Sequence, residues 1–462
     1  MTAPPSITSL QTRSSAVLAA LALGSLVYVA CVAWVFQYSY DVVGGVVVAH
    51  LLVLPTVALL VGLLRREDDR RVRTFIIAGL VVKVIGTLAR YAVVFRVYGG
   101  GDAFVYDRVG GKIAEAIRSG DLIPEGQQLI GTGFIEVFTG IVYTFTGATR
   151  LGGFLVYSWL GFLGLCLFYL AFKTAFPDGD RRRYAALIFF LPSMAFWPSS
   201  IGKEAWMTLT LGMTAYGVAR LVSRRDHSIP WLAAGILGSA VVRPHITITL
   251  VVALGVAYLL IGSKRGGLGA PFAKLAGLMT LMLVFSLVLS SVQSRFKLEE
   301  GAGVEEVFAQ TREQTSSEEG SSFDAVGARS PLDLPAAAFS VLFRPLPYEA
   351  GSVQGLAASL EGALLLFLFV KHWRRLANLF PSRRSPYLAF VAAYSILFVV
   401  AFSNFGNFGL LARQRVQVFP FVLVALAVPR VKKALGPAPE VEAPRRPPRR
   451  SFDPALASRG EG

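Results

Sequence analysis

The sequence predicts an all-α fold, a polytopic transmembrane helical bundle of about twelve spans with interfacial helices on its outer face. Of the 462 residues, 54% are hydrophobic and 16% are charged, and the mean hydropathy is +0.57. Apolar runs of about 17 to 25 residues, the length that crosses a roughly 30 Å hydrocarbon core as a helix, recur along most of the chain. Much of the Lys and Arg behind the net charge of +16 lies in short clusters after these runs, which favours topology signals over nucleic-acid binding.

The first three spans set the orientation of the chain. A cytoplasmic segment, 1–13, precedes the first span, and the second and third spans are joined by RREDDRRVR, Arg65–Arg73. Five arginines in so short a loop place it in the cytoplasm. The third span therefore leads outward, and the stretch GGGDAFVYDR, Gly99–Arg108, is predicted to lie outside. These three spans are predicted at 14–36, 43–64 and 74–97.

Further basic clusters constrain the rest of the bundle, which occupies 14–430 in a multi-pass arrangement in the plasma membrane. We expect both termini in the cytoplasm. The other predicted cytoplasmic clusters are Asp178–Arg183, Ser223–Arg225, Ser263–Arg265 and Lys371–Arg384. The remaining spans are predicted at 151–175, 184–200, 205–222, 229–243, 245–262, 273–292, 355–371, 387–404 and 414–430.

Three regions differ from the spans in composition. GTGFIEVFTGIVYTFTG, Gly131–Gly147, is rich in Gly and Thr, and we predict it as an interfacial or re-entrant helix within an outer region, 98–150. The second outer region, 293–354, is acidic at its centre and rich in Ser and Gly. Residues 431–462 form a basic Pro- and Arg-rich tail that is expected to be disordered in the cytoplasm.

Unusual charged and polar residues collect at the predicted outer ends and turns. A charge near hydrocarbon is costly unless it finds a partner or a watery cavity, so we expect several of these residues to meet around one cavity. Basic side chains there suit a phosphate or pyrophosphate group, to which arginine offers two parallel donors. The candidates are Asp102, Tyr106, Asp107, Arg108, Lys203, Glu204, Arg243, His245, Arg344, Glu349, Arg413 and Arg415.

Structural roles are alternatives for several of these residues. Asp102 precedes an apolar-periodic run and suits the N-cap of a helix. His245 alternatively serves as a helix-end residue. Another group of side chains could instead extend along the membrane surface so that their charges reach the outer lipid headgroups: Lys203, Arg243, Arg413 and Arg415.

Three further polar residues fall inside predicted spans. Lys83 and Arg90 are seven residues apart, about two turns, and therefore share a face of the third span. We expect Lys83 and Arg90 to point into the bundle toward acidic partners or backbone carbonyls. His50, in the second span, is a candidate partner for them, and its role is left open.

The order of motifs resembles the GT-C superfamily, the multispanning glycosyltransferases that use polyprenyl-phosphate or polyprenyl-diphosphate sugar donors at the outer face of the membrane. The resemblance covers about residues 74–262, with looser likeness to 430. It is carried by GGGDAFVYDR, GTGFIEVFTGIVYTFTGATRLGG, FLPSMAFWPSSIGKEAW and GSAVVRPHITI. The later half, with a large outer loop and Arg344 ahead of Gly355, is also similar to the O-antigen polymerase and ligase group.

The resemblance implies a glycosyltransferase of cell-envelope or exopolysaccharide synthesis, with a polyprenyl-linked sugar as donor and a glycan or lipid as acceptor. It implies Asp102 as the catalytic base, with Asp107 as second choice. Donor-phosphate contacts are implied for some of Lys203, Arg243 and Arg344. No metal site is predicted, because the spacing after GGGD is not that of a zinc or calcium loop, and a divalent cation is left open as a cofactor.

Two other functional classes are alternatives. A transporter or flippase for a lipid-linked or anionic solute requires cations deep within the spans and a path open to both faces. A scaffold without chemistry requires that alanine be tolerated at Asp102, Arg243 and Arg344. The outer-face carboxylates and cations favour the enzyme.

Overall fold

The computed structural model describes residues 22–34, 37, 39–121, 126–261, 275–286, 323–328, 330–374 and 385–428. The segment 1–13, the centre of the outer loop 293–354 and the tail 431–462 lie outside these ranges. Within them the regular structure is helical, as predicted. The helices are α1 (Ala22–Trp34), α2 (Tyr40–Leu64), α3 (Arg70–Ala92, extended by a π-helical turn Val93–Tyr98), α4 (Asp102–Arg118), α5 (Thr132–Thr146), α6 (Arg150–Ala175), α7 (Arg181–Phe190), α8 (Pro192–Phe196), α9 (Lys203–Val222), α10 (Ser228–Val242), α11 (Pro244–Leu260), α12 (Leu275–Ser286), α13 (Leu334–Phe343), α14 (Val353–Lys371), α15 (Pro386–Phe402), α16 (Phe408–Gln414), α17 (Phe419–Val422) and α18 (Val424–Ala427).

Four of the described helices are long and apolar enough to cross a membrane: α2, the continuous helix Arg70–Tyr98, α6 and α14. The bent pair of Phe408–Gln417 and Phe419–Ala427 makes a fifth if it is one span. Six shorter apolar helices are α1, α10, α11, α12, α13 and α15. These helices indicate a membrane-embedded helical protein, while the count of twelve spans stays a prediction.

The pair α6 and α9 packs closely at the centre of the described core. A Cβ atom added at Gly164 of α6 would lie 2.4 Å from the Thr208 carbonyl oxygen, and one at Gly212 of α9 would lie 2.6 Å from the Gly164 carbonyl oxygen. Small residues allow such close approach, which is how helices pack where lipid removes the hydrophobic drive between them. Nearby, Lys83 of α3 is buried and donates to the Met194 carbonyl oxygen at 3.0 Å, a carbonyl partner of the predicted kind.

The predicted span 184–200 is broken, and one continuous helix there was a wrong prediction. α7 ends at Phe190 and α8 begins at Pro192. Proline has no N–H for the helical ladder but is favoured in the first turn of a helix, so it ends one helix and starts the next. The Ser193 N–H in the first turn of α8 donates to the Glu361 carboxylate of α14 at 2.7 Å.

Two of the predicted cytoplasmic loops meet at one end of the bundle. Glu67, between α2 and α3, is buried and pairs with Lys173 at 2.8 Å and Arg181 at 3.4 Å. Burial opposes ionisation of Glu67, but its bond with Lys173 holds the pKa below its ordinary value. Asp69 pairs with Arg182 at 2.5 Å, and this hydrogen bond likewise lowers the pKa of Asp69. The two loops, RREDDRRVR and DGDRRR, therefore lie at the same end of the bundle, as the predicted topology requires.

The predicted outer region 98–150 contains two helices packed against each other, α4 and α5. A Cβ atom at Gly110 would lie 2.7 Å from Cγ2 of Thr139, and one at Gly140 would lie 2.5 Å from Cγ2 of Ile113. Arg118 joins the helices further by donating to backbone carbonyl oxygens at the end of α5. The segment Gly131–Gly147 is therefore the separate helix that its composition indicates; its depth in the membrane stays a prediction.

Candidate functional site

A polar cavity of about 450 Å³ forms at the end of the bundle opposite the Glu67 loop. The direction of two helices fixes this placement. α3 leads from the Glu67 loop to Asp102, and α9 leads from Lys203 to Ser223, whose hydroxyl donates to the Thr174 carbonyl oxygen beside that loop. The cavity is lined by Asp102, Lys203, Val242, Arg243, Pro244, His245, Phe402, Phe405, Leu410, Arg413 and Gln414.

Asp102 reaches the cavity from a glycine turn. Gly99 and Gly101 have φ values of +62° and +105°, a region that favours glycine because other residues carry a Cβ. Gly101 holds the N-cap position of α4 and Asp102 is the first helical residue, so the N-cap alternative is wrong. The Asp102 side chain is 54% exposed and accepts from Nη2 of Arg413 at 2.8 Å.

Glu204 is the buried carboxylate of the site. It is 3% exposed, and its Oε1 accepts from Nη2 of Arg243 at 2.6 Å and from Nε of Arg413 at 2.8 Å. A carboxylate in this position is costly unless its charge is paired, and the two guanidinium groups supply that pairing. Because Arg413 also bonds Asp102, it connects the buried carboxylate to the exposed one.

Two glutamines that sequence reasoning missed complete this network. Oε1 of Gln414 accepts from Nη1 of Arg243 at 2.7 Å and from Nε2 of Gln417 at 2.6 Å. These bonds fix the orientation of the Arg243 guanidinium. The available signal was the run ARQRVQ, in which amide side chains alternate with arginines inside an otherwise apolar region.

Lys203 connects α5 to the cavity. It is the first residue of α9, and its Nζ donates to Oγ1 of Thr132, the first residue of α5, at 2.9 Å. Tyr106 is 2% exposed and lies near the Thr132 side chain and near the charges of Asp102 and Glu204. Tyr106 is therefore buried beside the site and does not line the cavity.

The charges at this site leave a positive excess. Lys203, Arg243 and Arg413 stand against the two carboxylates of Asp102 and Glu204 when His245 is neutral. A positive excess favours an anionic group such as phosphate. Among the described residues, no group of three or more His, Cys, Asp and Glu side chains is placed to hold a metal ion.

Asp107 and Arg108 are not among the residues that line this cavity. Asp107 accepts from the Tyr143 hydroxyl at 2.8 Å and pairs with Nε of Arg150 at 3.0 Å, so it joins α4 to α5 and α6. It lies five positions after Asp102, which turns it about 140° around the helix axis. Arg108 is exposed to solvent or lipid.

Arg344 and Glu349 form a separate pair between α13 and α14. Nε of Arg344 donates to both carboxylate oxygens, at 3.0 and 3.1 Å, and its guanidinium lies 4.5 Å from the ring centroid of Phe323. Burial opposes ionisation of Glu349, but the bond with Arg344 lowers its pKa. Arg415, also predicted at the site, is 3% exposed and donates from Nη1 to the Leu342 carbonyl oxygen at 3.1 Å.

The two remaining polar residues of the spans do not join Lys83. The Arg90 guanidinium lies over the rings of Phe196 and Trp197, 5.1 and 4.7 Å from their centroids. His50 contacts the Val46 carbonyl oxygen of its own helix at 2.6 Å through Nδ1. The prediction that His50 pairs with Lys83 and Arg90 is therefore wrong.

The functional proposal therefore rests on the residues that converge at the polar cavity. Asp102, Lys203, Arg243, His245 and Arg413 line one cavity, with Glu204 bound to two of them. No protein-family model, no curated protein and no solved structure matches the chain.

Proposed function

We propose that the chain is an integral membrane glycosyltransferase that uses a polyprenyl-linked sugar donor at the extracytoplasmic face of the plasma membrane. Its product would belong to the cell envelope or an exopolysaccharide. The proposal retains the twelve-span topology with both termini in the cytoplasm. The observation that supports it is the convergence of Asp102, Lys203, Arg243 and Arg413 on one cavity.

The proposed chemistry assigns one role to the carboxylate and another to the cations. Asp102 accepts the proton of the acceptor hydroxyl while that oxygen bonds to the anomeric carbon of the sugar. The bond from this carbon to the carrier phosphate breaks, and the phosphate leaves with the electron pair. Lys203, Arg243 and Arg413 stabilise the negative charge that develops there, and their fixed positions reduce the cost of reorganisation.

The likeness to glycan polymerases and ligases receives less support. Its main residue, Arg344, is bound to Glu349 and is not among the residues lining the polar cavity. A transferase that moves single sugars from the carrier is therefore the favoured form of the proposal.

Reconstituted vesicles separate transfer from transport. The purified chain is mixed with a panel of polyprenyl-phosphate and polyprenyl-diphosphate sugars and with candidate glycan or lipid acceptors. We expect the sugar to appear on an acceptor. Movement of the unaltered sugar lipid across the bilayer, with no transferred sugar, would instead identify a flippase.

Replacement of Lys203 tests the donor-phosphate assignment. Lys203→Gln removes one charge-assisted hydrogen bond, worth about 1.5–3 kcal/mol, so we expect kcat/KM for the donor to fall about tenfold or more, with a lower kcat because the phosphate charge grows in the transition state. Steady-state kinetics with varied donor measures this effect. Lys112→Gln, at an exposed position of α4, is the matched control. An unchanged kcat/KM for the donor in Lys203→Gln would remove Lys203 from the donor site.

A further inference from the structure

A second cavity, of about 550 Å³, lies on the other side of α16. Leu410, Arg413 and Gln414 line the Asp102 cavity, whereas Ala412 and Arg415 line the second one. Residues three or four apart share a face of a helix, so each set marks one face. The segment α16 and its following turn therefore form a wall between two distinct cavities.

The wall of the second cavity is mainly apolar. Val93 and Val97 come from the end of the helix Arg70–Tyr98, Trp197 from the turn after α8, and Ala357 from the first half of α14. Both of these long helices are candidate membrane spans, and they contribute the ends that adjoin the Asp102 turn and the Arg344 turn. An apolar space beside the ends of two spans is where the upper chain of a lipid lies.

Buried donors without protein partners occur among the residues that line this cavity. Arg415 is 3% exposed, and its Nε has no hydrogen-bond partner in the described part of the chain. Nε2 of Gln354, from the first turn of α14, is also buried without a partner there. Unsatisfied buried donors cost about 1–3 kcal/mol each, more when charged, so they indicate a ligand that supplies oxygen atoms.

The described residues that line this cavity include one cationic side chain and one carboxyl group. The cationic residue is Arg415. The carboxyl group among the lining residues, that of Glu361, already accepts from the Ser193 N–H at 2.7 Å and from its hydroxyl at 2.5 Å. Among the charged lining residues that the structure describes, Arg415 is therefore the one with a buried donor left without a partner, which favours an anionic ligand.

We propose that this second cavity binds an anionic lipid through its phosphate. The phosphate oxygens accept hydrogen bonds from Nε of Arg415 and Nε2 of Gln354, and the chain covers the apolar wall. Inorganic phosphate would satisfy the donors but leave that wall uncovered. The site does not depend on the proposed transferase activity, because it lies across α16 from the Asp102 cavity.

Fluorescence of Trp197 gives a readout specific to this cavity. The full chain in detergent is titrated with bromoundecyl phosphate, whose bromine quenches a nearby indole, and the Trp197→Phe variant supplies the background. We expect saturable quenching that is missing in Trp197→Phe. Bromoundecanol should require at least tenfold higher concentration, and inorganic phosphate should compete only weakly.

Two variants test the assignment without removing the buried Arg415. Ala358→Phe fills the cavity from α14, and Gln354→Leu removes one donor; each should weaken quenching about tenfold or more. Leu364→Phe, at an exposed position of the same helix, should leave it unchanged. Size-exclusion profiles confirm that the variants fold, and Gln354→Leu keeps the test valid if Ala358→Phe does not. Unchanged quenching in the folded variants, equal potency of bromoundecanol, or equal competition by inorganic phosphate would each overturn the proposal.

Discussion

Glu204 holds together two arginines that come from distant parts of the chain. Its carboxylate is buried, and one oxygen bonds both Arg243 and Arg413. Glu204→Gln keeps the side-chain volume but leaves the buried Arg243 guanidinium without its counterion and Arg413 with Asp102 alone. We expect a loss of about 3–5 kcal/mol in stability, since breaking a buried pair exposes the cost of burying its partner.

Thermal unfolding in detergent, followed by loss of the monodisperse peak, measures the effect of Glu204→Gln. Glu115→Gln, on an exposed face of α4, controls for the loss of a carboxylate. Equal melting temperatures for the two variants would mean that Glu204 does not organise the cavity.

The pair of Glu349 and Arg344 predicts a pH dependence of stability. The folded state lowers the pKa of Glu349 below its ordinary value near 4.5, despite the opposing effect of burial. The pair therefore contributes stability above that pH, and the contribution disappears as the pH falls through the lowered folded pKa. Glu349→Gln should be less stable than the parent chain at pH 7, and the gap should shrink below about pH 4.5. Melting temperatures across this range test the prediction, and a constant gap would contradict it.

The spacing of the charged residues along the helices could have predicted which of them reach the polar cavity. Asp102 and Asp107 are five positions apart on one helix, and Arg413 and Arg415 are two apart, so each pair diverges by well over a quarter turn. The structure accordingly places only Asp102 and Arg413 at the polar cavity. Grouping all charges of a short stretch into one site ignored this helical geometry.

At the scale of elements, close helix packing predicts which glycines matter. Gly164→Ala would place a Cβ atom 2.4 Å from the Thr208 carbonyl oxygen, whereas at Gly255 of α11 nothing lies within 4 Å. We expect Gly164→Ala to cost about 1–3 kcal/mol through overpacking of α6 against α9. Gly255→Ala should be neutral or slightly stabilising. Equal changes in melting temperature for the two substitutions would contradict the close packing of α6 against α9 at Gly164.

The elements were predictable where composition decides them. The Gly- and Thr-rich segment before α6 was correctly separated as a helix of its own, α5. Pro192, in the middle of an apolar run, marked the break between α7 and α8, but hydropathy averaged over the run concealed it. The contact of Ser193 with Glu361 could not be predicted, because it joins helices far apart in sequence.

The whole molecule has two chemically different ends. Buried acid–base pairs join the basic loops at one end, and at the other the turns before α4, α9 and α11 meet α16 around the polar cavity. Sequence reasoning anticipated that the two arginine-rich loops share a face, because charge distribution dictates topology. It could not specify that Arg344 lies outside the cavity, since that depends on tertiary packing around Phe323.

Single-turnover sugar transfer by Asp102→Asn tests whether Asp102 is the general base, with the enzyme–donor complex in excess over the acceptor. Asp121→Asn, an exposed carboxylate beyond the other end of α4, is the matched control. We expect Asp102→Asn to retain its melting temperature and donor binding but to lose transfer by about 100-fold or more, as removal of a general base does, while Asp121→Asn remains active. Normal transfer by a folded Asp102→Asn variant would show that Asp102 is not the general base.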